Sequence, residues 1–590
     1  MIPGTATATV VAVVALLLAA APARAQEVGS DTAPPPPPPA SGAAPAPSIE
    51  ISPGPLSPGA RLVFSRDSIL WTNGYTLADL LIEVPGTYVA RTGFVGQPTP
   101  VYYGGRGAAG LEILYDGIPI IALGPDSLAP DPGRISLIGL RRVEVERHPA
   151  FLRVYLVSER HDRLGARSLL RVVNGDFKTA GYAGLFQYRW KAGIGLDLTA
   201  DYFNAKGGQG TTREAQWFDL RAAADWTPSP LVSARFQLRS LTLARDETVG
   251  ADAYTIPLRD DTRRETTFRI VAGTRPDRQG LSFEAGVQSI VWRADSAIAD
   301  TVLGERTVNG GFVGIRLAGR RATADLVVRA TDYHTPMESQ VQAGWTPLGW
   351  LVLSGSARWA SHVGDRTSRS ADASLGVYRG PFSLVGDVRW SDAVAAPVFE
   401  SDTAQITTDL GVRVGFVSRR FTVRGGVEQR DAFTPIGFSG IPDFPPFPPS
   451  PQATFVIGEV SATLGPLTLS GWFADPLSGE AASYQPASHS RTALTFRSNF
   501  LRTFRSNAFD LKVQLAVEAW SEGVAGADGS GNPIPLPGTS VAEAFLQVEL
   551  ASFHAFYSLK NALRSQEGFV PGFEFPRNRQ TFGVKWIFRD

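Results

Sequence analysis

The 590-residue sequence predicts an all-β membrane barrel of about 22 antiparallel strands, and three observations point to it. They are period-two alternation over most of the chain, aromatic residues near the ends of the alternating segments, and connectors that switch between short and long. From about residue 166 onward the alternation dominates. Leu511, Val513, Leu515 and Val517 are interleaved with Lys512, Gln514 and Glu518, and the final residues set Phe582, Val584, Trp586 and Phe588 against Lys585 and Arg589. Successive side chains of a strand point to opposite faces, so each segment carries one apolar and one polar face.

A soluble sandwich would alternate in the same way, with its apolar face inward. Segment length argues against it, because runs of about 10–14 residues suit a tilted strand crossing ~30 Å of hydrocarbon. Trp190, Trp226, Trp345, Trp350, Trp472 and Trp520 lie near segment ends, where interfacial girdles are expected. The 22 candidate strands start near residues 168, 179, 192, 213, 231, 262, 279, 309, 321, 337, 349, 369, 381, 404, 420, 452, 466, 490, 507, 539, 553 and 578. Connectors after even-numbered strands are tight (WKAG, AGRR, TPLG, SRR), and those after odd-numbered strands are often long. Short turns on one rim and long loops on the other are the pattern of a bacterial outer-membrane barrel. An even strand number also closes without an exposed edge, which hydrocarbon does not tolerate.

Composition narrows the function classes. The chain has 56 basic and 56 acidic residues, so it lacks the basic excess that nucleic-acid binding needs. It has no cysteine and six histidines, which excludes thiolate chemistry and leaves little material for a metal cluster. No cofactor or metal site is expected, nor an enzyme. His334, His362, His489 and His554 could each act as a general base, but none sits in a nucleophile motif. Asp528 to Asn532 resembles a calcium loop without the required Glu and reads as a polar loop.

The N-terminus reads as an export and tether region. An apolar run over residues 5–21 precedes Ala23-Arg24-Ala25, so residues 1–25 are expected to be a signal peptide. Residues 26–60 contain Pro34 to Pro39 in a row and are expected to form a disordered, extended periplasmic linker. Within it, Ile49, Glu50 and Ile51 form a short β-prone island able to add to the sheet edge of a partner.

Residues 61–165 show mixed patterning, many glycines and no long amphipathic strand. Gly105 to Gly110 matches a G-x-G-x-x-G string, but LEILYDGIPI follows where a dinucleotide fold needs a helix. Four motifs stand in order: TLADLL with Val84-Pro85-Gly86; Tyr103-Gly104-Gly105-Arg106-Gly107; LEILYDGIP, with Asp116 and Gly117 at its turn; and LRRVEVERHP, with Glu144, Arg147 and Pro149. Together they resemble the plug domain of TonB-dependent outer-membrane receptors. That resemblance implies a small α+β plug (61–165) in the lumen of the barrel (166–590), with Phe151 to Val157 as its last strand. It also implies that plug arginines pair with wall glutamates, which by motif position would be Arg106 and Arg147, with Glu428 as an inward partner. Ile49 to Ile51 would be the TonB-box candidate.

The resemblance implies a function as well. Such a protein sits in the outer membrane of a Gram-negative-type bacterium, in contact with its lipid and with its linker in the periplasm. It binds a scarce extracellular solute, such as a metal chelate or glycan, and admits it when an inner-membrane TonB-like complex pulls on the plug. Phe438, Phe444 and Phe447, in the Phe- and Pro-rich loop after strand 15, are candidates for meeting the ligand. A plugged barrel serving as a non-energised binding, assembly or surface protein is the alternative.

Overall fold

In the computed structural model, 22 strands from Gly165 to Arg589 close into one antiparallel barrel. The structure describes residues 61–589 except 93–95, 105, 125–127, 207–213, 250–254, 276–278, 295–304, 400–401, 438–446 apart from 441, 480–481, 501–507, 529, 566, 569, 571, 574 and 576–577. Closure is made by the last strand (Arg579–Arg589) on the first (Gly165–Gly175), in register from Thr581 opposite Gly175 to Arg589 opposite Arg167. Each of the 22 strands begins within three residues of its expected start. The connector pattern has one exception. Barrel strand 18 (His489–Ser498) is even-numbered, yet the next strand begins only at Phe509.

The distribution of burial is inside-out relative to a soluble protein. Phe186, Leu198, Phe218, Leu220, Phe236 and Leu238 are exposed, while their strand neighbours Gln187, Asp197, Asp219 and Arg235 are buried. Hydrocarbon is the solvent in which this arrangement is favourable. Of the six tryptophans expected in girdles, Trp190, Trp226, Trp345 and Trp350 are exposed on the outer surface. Trp472 and Trp520 are buried and correct that expectation. Both stand on inward positions of their strands, where their rings meet His489 edge-on at 4.7 Å and 6.2 Å.

The plug fills the lumen. Its sheet runs β1 (Arg61–Phe64), β6 (Leu140–His148), β7 (Phe151–Ser158), β4 (Leu111–Tyr115) and β5 (Ile118–Pro119), with β4 and β7 parallel and the other pairs antiparallel. A two-stranded ribbon, β2 (Thr87–Val89) and β3 (Val101–Tyr103), stands apart from that sheet. Helix α1 (Arg66–Leu70) follows β1, and helix α2 (Leu77–Leu81) is started by a capping box in which Thr76 and Asp79 satisfy each other's backbone N–H. The main hydrophobic cluster of the plug is built from its own residues, Leu77 through Leu156. Its polar contacts with the wall reach around the circumference: Ser136 to Asp201, Ile121 to Arg263, Gly117 to Arg329, Arg106 to Asp409, Arg147 to Glu459, and Asp79 to Lys560. Small apolar clusters add to them, with Tyr88, Ile138 and Leu123 of the plug packed on barrel residues.

Candidate functional site at the plug and wall

The site begins with the turn that carries Arg106. Gly104 has φ +57°, and a Cβ there would lie 2.7 Å from the Cα of Ala150, so only glycine permits this approach. Gly107 has φ +56° and opens a single 3-10 turn. Between them Arg106 reaches across to barrel strand 14 (Gln405–Val417). Its Nη2 donates to Asp409 at 2.5 Å, its Nη1 donates to Thr407 at 3.1 Å, and its guanidinium lies 4.9 Å from the centre of the Phe433 ring. Arg106 and Asp409 are both buried.

Arg147, at the end of β6, pairs with Glu459 of barrel strand 16 (Ala453–Leu464) at 2.5 Å. Burial works against its charge, but Glu459 and Tyr103 hold the guanidinium above its ordinary pKa. Glu428 faces inward as expected. It accepts from the Tyr103 hydroxyl at 3.4 Å and lies 3.6 Å from Arg413. The expected wall partner therefore sits near Arg147, while the direct bridges use Asp409 and Glu459. Which wall acid faces which arginine depends on how the plug is rotated in the barrel, and no local pattern carries that information.

The remaining plug motifs hold the plug itself. Asp116 and Gly117 form the β4–β5 turn with φ 47° and 84°. The Asp116 carboxylate accepts from the Ser158 N–H at 2.9 Å and the Ser158 hydroxyl at 2.6 Å. Burial opposes its charge, but Arg160, Arg235 and these bonds keep its pKa below the ordinary value. Glu144 bridges Arg61 of β1 and Arg142 of β6, tying the N-terminal strand down. Pro149 turns β6 into β7 and abuts Gly411 of the wall, where an added Cβ would stand 3.2 Å from its Cγ.

At the rim of short connectors the wall grips α1. Arg497 donates to Asp67 at 2.9 Å and stacks 4.2 Å over Trp71, while Lys512 and Lys585 donate to the backbone carbonyls of Trp71 and Leu70. At the other rim a cavity of about 370 Å3 opens between the plug turns and the wall. Glu112 lies in it. Burial would raise its carboxyl, but Arg153 at 2.8 Å and Arg358 at 3.4 Å hold its pKa down to about 2.

Of the loop aromatics, Phe438 and Phe444 lie outside the described residues, as do Ile49, Glu50 and Ile51. Phe447 is buried against Tyr484 with ring centres 5.4 Å apart, and Phe433 of the same loop lines the cavity. Three of the four histidines bond neighbouring side chains, His362 to Thr335 and Ser368, His489 to Glu518, and His554 to Gln547, and His334 lines the cavity. Sequence reasoning missed Asp409, Glu459 and Arg389. Their inward parity on each strand was the available signal.

No family model matches the sequence, and no curated protein matches it. Solved structures do. The siderophore receptor PirA from Acinetobacter baumannii matches with TM-score 0.67 at 9% identity, over 90% of this chain and 98% of that one. The copper transporter OprC matches with TM-score 0.69 at 14% identity, over 90% and 100%. The FrpB iron transporter from Neisseria meningitidis matches with TM-score 0.66 at 10% identity, over 90% and 99%. At these identities the likeness shows the fold: the chain is a plugged 22-strand antiparallel β-barrel, with the fold of these three structures.

Proposed function

We propose that the chain is an energised outer-membrane importer that binds a scarce extracellular solute at the cavity and admits it when its plug is pulled. The observation that carries this reading is the separation of the two kinds of contact. The plug keeps its main hydrophobic core to itself, whereas its grip on the wall is dispersed over ion pairs, hydrogen bonds and several small apolar clusters. Contacts so dispersed can give way one at a time, the polar ones by exchange with water, so the plug can shift without exposing its own core. β1 adds to the reading. It is the edge strand of the plug sheet and pairs with β6 over only four residues from Arg61 to Phe64. Tension from the N-terminal side reaches Arg61 first and breaks the pairs in sequence.

In this reading the N-terminal linker carries the pull of an inner-membrane TonB-like complex through the segment around Ile49 to Ile51. Deleting residues 46–54 tests it. The variant should reach the outer membrane in normal amount, bind solute as the parent does, and lose uptake that depends on the inner-membrane energy source. Uptake that survives the deletion would instead favour a plugged barrel that binds without energised transport.

A further inference from the structure

We infer that the cavity receives a compact amphipathic organic anion, with Arg389 as the group that anchors its carboxylate. The inference rests on reading the chain as a solute importer and names the class of solute. It starts from charge. Arg106, Arg329, Arg358 and Arg389 line the cavity against Glu112 and Glu338, so the lining carries more positive than negative charge. A concave, low-dielectric lining of one sign concentrates ions of the other.

Three of these arginines are already committed. Arg329 donates to Glu338 at 2.7 Å and to the Gly117 carbonyl at 3.0 Å. Arg358 bonds Glu338 at 2.6 Å, and Arg106 is held by Asp409 and Thr407. Arg389 differs. It is 8% exposed, and among the described residues no nitrogen of its guanidinium donates a hydrogen bond, whereas Arg106 and Arg358 lack one at Nε but donate from Nη. The carboxylate nearest to it is that of Asp372 at 3.9 Å, which already accepts from the Ser356 hydroxyl at 2.5 Å. A buried guanidinium N–H without an acceptor is costly, and an arriving carboxylate supplies one.

The body of the solute is set by the rest of the lining. Phe151, which lies flat under Arg389 at 3.8 Å, together with Phe312, Phe433 and Ile120, gives an apolar surface beside the cation. The volume of about 370 Å3 is at the low end of the roughly 300–1,000 Å3 that hold drug-sized ligands. A small carboxylate with an aromatic or branched apolar body satisfies both features at once.

The experiment uses the full mature chain in detergent, with 2-naphthoate as the probe and 2-naphthamide as its neutral counterpart, read by isothermal titration against a micelle blank. Naphthoate should bind about tenfold or more tighter than naphthamide, the equivalent of a charge-assisted hydrogen bond. Arg389→Gln should remove that preference, while Arg316→Gln, a wall arginine away from the cavity, should leave it intact. Equal binding of the two probes to the parent, or a preference unchanged in Arg389→Gln, would overturn the inference. The probe comparison on the unaltered chain decides the matter even if the variant does not fold. Binding in detergent needs no energy source, so it can fail while energised uptake persists, and uptake can fail while binding persists.

Discussion

Replacing Arg106 by Ala is the most direct perturbation of the plug–wall bridge. The change leaves Asp409, which is 1% exposed, with the Asp431 N–H at 2.9 Å as its remaining donor among the described residues. Two unit charges ~4 Å apart attract by about 4 kcal/mol at an effective dielectric of about 20. Removing one partner of a buried pair typically costs about 3–5 kcal/mol, because the other charge stays buried without compensation. The Phe433 contact adds about 1 kcal/mol. A loss near 4 kcal/mol, divided by a urea dependence of about 1–3 kcal/mol per molar, moves plug release down by roughly 1–4 M urea. Single-channel recording in planar bilayers with increasing urea reads this directly, since release of the plug opens the lumen. The double variant Arg106→Ala with Asp409→Ala should cost clearly less than the two single changes added, with a coupling of about 2 kcal/mol or more. If the onset of conductance stays where the parent has it, or the two changes simply add, the bridge does not hold the plug.

Two further outcomes follow from the same geometry. The Glu112 carboxyl is held down to about 2 against an ordinary value near 4.5, so its stabilisation is present above pH 4.5 and is lost as pH falls toward 2. Over that window it amounts to about 3 kcal/mol. Unfolding measured between about pH 5 and about pH 3 should therefore depend less steeply on pH in Glu112→Gln than in the parent, and equal slopes would count against the assignment. On the outer surface, Val412 is 54% exposed in the middle of barrel strand 14. Val412→Arg should cost about 2–4 kcal/mol, read by urea titration of folded against unfolded barrel in vesicles, whereas Val417→Arg at the end of the same strand should cost about 1 kcal/mol or less. Equal costs at the two positions would mean that strand 14 does not cross hydrocarbon as described.

Much of the architecture was legible because strand alternation is a local property. Leu515 and Val517 face outward while Ala516 and Glu518 are buried, as a period of two requires. Turn chemistry was legible for the same reason, since Asp116-Gly117 needs only its own backbone preference to form the β4–β5 turn. The tryptophans mark the limit. Trp345 and Trp520 both end a run of alternating residues, but one faces lipid and the other meets Tyr88 and His489 inside. Parity with the neighbouring charged residues distinguishes them, and closeness to a strand end does not.

The sequence by itself determined the strand period and the number of strands. Those features arise from residues close together in the chain. Only the tertiary structure decided that Arg106 meets Asp409, 303 residues away, that Glu428 bonds Tyr103 and Arg413, and that Arg389 faces the cavity without a close acceptor. Closure of the barrel fixes the angle of each inward row around the lumen, and the seating of the plug fixes which row each arginine reaches. Neither angle is encoded in any short stretch of chain, because both are properties of the whole ring.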